Sequence, residues 1–180
     1  MTEYTINSSG AVVPAKGGAQ PILITMTADE FRENKAEFTF HREMLHSLGS
    51  IRYCKAELYK GCVIGTMRIP RKEAQRAPEL CFGFCLTDKT LHIIEDTGEY
   101  KALVARLVNH SSGAARPSQL LLRLLELLTE NDVPYMMHIE TELERMEDEL
   151  GQKPGDDFFR RLTRHRQKLS ELGAYYGQLS

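Results

Sequence analysis

In the first two thirds of the chain, apolar residues come in short runs or alternate with polar ones. In the last third they recur three and four apart. Pro21-Ile-Leu-Ile-Thr-Met-Thr27 reads as a buried strand. Thr27-Ala-Asp-Glu30 has the form of a capping box, in which hydroxyl and carboxylate satisfy each other's free backbone N–H groups, so a helix should begin near Ala28. A second helical piece, His41 to Leu48, stops at Gly49. Ile51, Tyr53 and Lys55 then alternate with Arg52, Cys54 and Ala56, Lys60-Gly61 makes a turn, and Val63 to Ile69 returns before Pro70. That is the pattern of a hairpin. Leu80–Leu86 and Thr90–Glu95 make a second pair around Asp88-Lys89, and shorter strands fit near Tyr4–Asn7 and Ala11–Val13. Asp96-Thr-Gly-Glu99 repeats the capping-box form ahead of a helix to about Val108. Pro117, after a loop at Ser111–Ala115, suits a first helical position.

From Leu120 to Leu150 the periodic residues are Leu121, Leu125, Leu128, Tyr135, Ile139, Leu143, Met146 and Leu150, with Asp132 taking one expected apolar place. An unbroken helix of about 33 residues would span roughly 50 Å, but Pro134 should kink or divide it near Asn131 to Val133. A second helix is predicted over Phe158–Leu179, with Phe159, Leu162, Leu169, Leu172, Tyr176 and Leu179 in phase and Arg166 interrupting them. Gly151-Gln-Lys-Pro-Gly155 turns the chain between the two. Glu140 to Leu150 holds six acids and one Arg, a net of -5; Lys153 to Lys168 holds six bases and two acids, a net of +4. Antiparallel pairing would lay these blocks side by side and set register more than stability, since exposed pairs are worth about 0–1 kcal/mol each. The second pattern is still in phase at Ser180 and no stop signal follows, which predicts that the native chain continues.

The element order predicts an α/β or α+β domain with helices on a sheet, extended by a helical hairpin. We divide it into a core over residues 1–115 and long helices over 116–180. Net charge is only -2, so bulk electrostatics does not call for nucleic acid. Arg160, Arg161, Arg164, His165, Arg166 and Lys168 are not interleaved with the aromatic platforms that stacking on bases would need. The first ten residues have no apolar signal core, and no run of about 18 apolar residues is present. Cys54, Cys62, Cys81 and Cys85 fall in strand-like segments without Cys-x-x-Cys spacing, which favours buried reduced thiols over zinc. No nucleophile elbow or phosphate-binding glycine loop occurs, and the histidines lack ligand spacing, so no catalysis is expected.

The run Asn131-Asp-Val-Pro-Tyr135, then Ile139-Glu140 through Glu144, then Met146-Glu-Asp-Glu-Leu150, resembles the long cytosolic helix of CorA-type divalent-cation transporters. The Arg-bearing segment from Phe159 to Leu172 is similar to that family's next helix, and the upstream order of elements agrees. The family's Gly-Met-Asn pore motif, its two transmembrane helices and the Trp common in its early strand do not occur in these 180 residues. The resemblance implies the cytosolic N-terminal domain of a CorA-like Mg²⁺/Co²⁺ transporter. The expected fold is an α/β/α sandwich with a mixed sheet, extended by a long antiparallel helical hairpin. The expected assembly is a homopentamer at the cytoplasmic face of the cell inner membrane, attached through a C-terminal part beyond Ser180. Its function would be regulatory gating, with divalent cations (Mg²⁺, with Co²⁺ or Zn²⁺ as further candidates) sensed between protomers. Asp96, Glu99 and Glu95 lie close to where the family places a regulatory carboxylate, although Asp96 and Glu99 also fit helix capping alone. The Glu140–Glu149 run could attract cations, or it could be a solvated helix face. The alternative reading is a stand-alone soluble α/β interaction module whose helical hairpin binds a partner.

Overall fold

The computed structural model describes residues 1–34, 38, 41–49, 51–70, 72, 79–96, 100–111, 116–151, 155 and 157–179. Among these residues seven strands are β1 (Thr2–Ile6), β2 (Val12–Pro14), β3 (Leu23–Met26), β4 (Lys55–Tyr59), β5 (Cys62–Ile69), β6 (Leu80–Thr87) and β7 (Leu91–Ile94). The helices among them are α1 (Ala28–Glu33), α2 (His41–Leu48), α3 (Tyr100–His110), α4 (Pro117–Thr129), α5 (Asp132–Leu150) and α6 (Phe158–Leu179). The strands form one sheet in the order β2-β1-β3-β7-β6-β5-β4. Only β3 and β7 pair in parallel; the other neighbours are antiparallel, so the sheet is mixed.

Side-chain alternation divides the sheet into two apolar faces. Leu23, Met67, Phe82, Phe84, Leu91 and Ile93 point to one face, where Val104 and Leu107 of α3 and Leu120, Leu124 and Leu128 of α4 cover them. Ile24, Met26, Cys62, Ile64, Cys85 and Ile94 point to the other, under Phe31 of α1 and Met44 of α2. Every residue of β3 and β7 is buried, as central strands covered on both sides require. The result is the expected α/β/α sandwich. Two glycines let its layers meet. A Cβ on Gly83 would run into Met44 and Leu48 of α2, and one on Gly65 would run into the Phe84 ring and the Lys55 carbonyl.

The capping box of α1 is present, with Glu30 N–H donating to Thr27 Oγ1 at 3.1 Å and Thr27 N–H to Glu30 Oε2 at 2.9 Å. Lys60-Gly61 makes the β4–β5 turn, with Gly61 at φ 87°. One expectation needs correction. Residues 51–54 do not belong to the hairpin strand, which begins at Lys55. Instead the Cys54 N–H donates to Gln178 Oε1 at 2.8 Å, so this segment is drawn toward α6. The periodic stretch from Leu120 to Leu150 is divided close to where Pro134 predicts. It breaks at Glu130–Asn131, one turn ahead of Pro134, which then sits in the first turn of α5, where its missing N–H costs nothing. Only α5 and α6 form the antiparallel hairpin. Ile139 and Met146 of α5 with Phe158 and Leu172 of α6 are buried outside both sheet cores.

Candidate functional site

β3 and β7 lie side by side in parallel, yet the chain leaves β3 into α1 on one face and β7 into α3 on the other. In open α/β sheets the carboxyl ends of strands at such a divergence are the usual ligand position. Glu95 and Asp96 stand there. The Glu95 N–H donates to the Met26 carbonyl at 3.0 Å, and the Glu95 side chain is buried at 3% exposure. Asp96 is exposed, and its Oδ1 accepts from the Ala28 N–H at 2.7 Å. Asp96 therefore satisfies the first free N–H of α1, 68 positions away in sequence. Beside it Glu30 pairs with the Met1 ammonium. That ammonium and the Thr27 backbone hold the Glu30 carboxyl below its ordinary range.

A second polar cluster lies where α4 gives way to α5. Asp132 is 7% exposed and is ion-paired with Lys72, whose Nζ also donates to the Leu128 carbonyl at 2.5 Å. Lys72 thus closes the C-terminal end of α4 and neutralises the first residue of α5 at once. Tyr176 of α6 stands beside this carboxylate; burial first pushes the Tyr175 and Tyr176 phenols up, and Asp132 adds to it, through its charge on Tyr175 and through hydrogen bonding and charge on Tyr176. From Asp132 an open apolar groove of about 730 Å³ runs along α5 and α6. Val133, Met136, Met137 and Leu143 line it with Leu169, and Glu140, Glu144 and Glu147 form its rim.

No sequence family and no curated protein matches the chain. Solved structures do. Full-length CmaX superposes with a TM-score of 0.73 at 12% identity, over 99% of this chain and 60% of CmaX. The cytoplasmic domain of ZntB from Vibrio parahaemolyticus RIMD 2210633 superposes with a TM-score of 0.56 at 10% identity, over 97% of this chain and 73% of that one. The chain has the fold of a CorA-like cytoplasmic domain.

Of the three expected carboxylates, two are among the described residues. Asp96 and Glu95 meet at the strand ends, one exposed and one buried; Glu99 lies outside the described residues. No group of three His, Cys, Asp or Glu residues among the described ones is arranged to hold a metal ion. Among the described residues the acidic block on α5 meets the basic block on α6 through a single bridge between helices, Arg161 to Glu149; Glu142 pairs instead with Arg145 of its own helix. Cys54, Cys62 and Cys85 are buried thiols, and burial pushes Cys85 up to about 12. No helix among the described residues is long and apolar enough to cross a membrane. Sequence reading did not find the Lys72–Asp132–Tyr176 cluster. Its signal was present, since an acid in an apolar phase position implies a buried partner, but the partner lies 60 residues upstream.

Proposed function

We propose that this chain is the cytosolic regulatory and gating domain of a CorA-like transporter, with no catalysis of its own. It would respond to Mg²⁺, with Co²⁺ or Zn²⁺ as further candidates, at interfaces of a homopentamer on the cytoplasmic face of the inner membrane. What supports the reading is the superposition of nearly the whole chain, sandwich and hairpin together, on CmaX. The ZntB domain, itself described as cytoplasmic, supports it further.

Asp96 is the carboxylate we assign to the regulatory cation, with Glu99 and Glu95 as its companions. One Asp96 oxygen is committed to the Ala28 N–H, so a single protomer offers few free oxygens there. Mg²⁺ tolerates this because it keeps several waters and takes one or two carboxylates. A neighbouring protomer would complete the shell. Facing carboxylates repel unless a hard cation bridges them, so cation loss would loosen the assembly and shift the population of its states.

The test is thermal unfolding of the chelator-treated, assembled protein with and without millimolar Mg²⁺. Ligand that binds only the folded assembly stabilises by mass action, about 2.7 kcal/mol at a hundredfold excess over Kd. Asp96→Asn should abolish most of the Mg²⁺-dependent rise. An unchanged midpoint in the wild-type assembly would refute cation sensing by this domain.

A further inference from the structure

The hairpin of α5 and α6 carries two unpaired charged surfaces. Glu140, Glu144 and Glu147 rim the groove and make no ion pair among the described residues. Arg160, Arg164 and Arg166 are exposed and equally unpaired. Arg160 and Arg164 are four apart, so they share one flank of α6. Leu169 and Tyr176, which border the groove, lie on another by the same periodicity. Acid and base therefore face outward from opposite edges of one hairpin. Exposed apolar residues accompany the acidic edge, with Val133 and Met137 at 69% and 60% exposure. The hairpin's own seam is thin: Ile139 and Met146 against Phe158 and Leu172 are the only fully buried apolar side chains in it among the described residues. Two helices with so small a shared core gain from further cover.

We propose that the acid-rimmed groove of one copy receives the Arg160–Arg164 flank of a second copy of this chain. This deepens the functional reading above, and rests on it for the idea of a homo-oligomer. The two surfaces differ, so the contact is head-to-tail, and repeating it closes a ring when the rotation allows. A neighbour in the same orientation lays its α6 antiparallel to α5. Its arginines then stand beside the acidic half of the groove.

Sedimentation equilibrium of the 180-residue chain at low and high salt tests this. Wild type should associate at low salt, and salt should weaken the association as exposed charges are screened. Glu140→Lys with Glu144→Lys, or Arg160→Glu with Arg164→Glu, should each weaken it at least about tenfold. The fourfold variant that reverses both surfaces should regain it, which a variant that merely misfolds cannot do. Wild type that stays monomeric at low salt overturns the proposal and leaves the groove to a different partner. Association that ignores either reversal overturns this interface while leaving the transporter reading intact. Loss of the Mg²⁺ response with these charge effects preserved would strike the transporter reading instead.

Discussion

Replacing Asp132 with Ala removes the acid that lets Lys72 be buried. The two side chains are 10% and 17% exposed, so this pair is largely out of water. Breaking a fully buried pair costs about 3–5 kcal/mol, because one charge is left without compensation. Lys72 keeps the Leu128 carbonyl and some solvent, which lowers the expected cost to about 2–3 kcal/mol. Asp132 is also the first residue of α5, and its charge favours the helix dipole by about 0.3–1 kcal/mol. Together these give about 3 kcal/mol, or a fall in Tm of about 6–12 °C for a chain of this size. The double variant Lys72→Met with Asp132→Leu removes both charges and fills the space. It should lie within about 1 kcal/mol of wild type, since well-packed apolar replacements of buried ion pairs are often neutral. Urea unfolding of wild type, Lys72→Met, Asp132→Leu and the double variant, with Asp132→Ala alongside, measures this. A loss below about 1 kcal/mol for Asp132→Ala, or a double variant as unstable as the two single changes added together, would refute the account of a desolvated, mutually dependent pair.

Gly65→Ala should destabilise more than Gly83→Ala within the range of about 1–3 kcal/mol for overpacking, because Gly65 faces a backbone carbonyl and a ring while Gly83 faces flexible side-chain ends; denaturant midpoints at constant slope would show the order. Thr27→Ala should cost about 0.5–2 kcal/mol through the lost capping box and should speed amide exchange in α1 first. Burial lowers the pKa of His92, whose Nδ1 has no partner among the described residues. The unfolded chain therefore takes up the proton first, and stability should fall as pH drops below about 6.5. His92→Gln should flatten that limb of the stability curve relative to wild type, and an unchanged slope would show that the buried imidazole is not its source.

What the sequence determined here is local. The Thr27 box, the Gly61 turn, the spans of α2 and α6 and the paired strands were legible because each rests on contacts among neighbours in the chain, or on a period that one buried face imposes. The break between α4 and α5 was legible in kind, since a proline inside a helical period must end or kink it. Its place near Asn131 was legible too, but the contact that holds it is tertiary: Lys72, brought in from the loop after β5, closes α4 and pairs with Asp132 at the start of α5. Asp96 teaches the same lesson. Its local pattern is that of a cap for the helix that follows, yet the parallel pairing of β3 with β7 sets it beside the first N–H of α1. The groove, too, exists only because antiparallel packing of α5 on α6 leaves Val133, Met136 and Met137 uncovered. Periodicity reports which side of a helix is apolar; how much of that side a neighbour covers depends on crossing geometry and length, which no one-dimensional pattern contains.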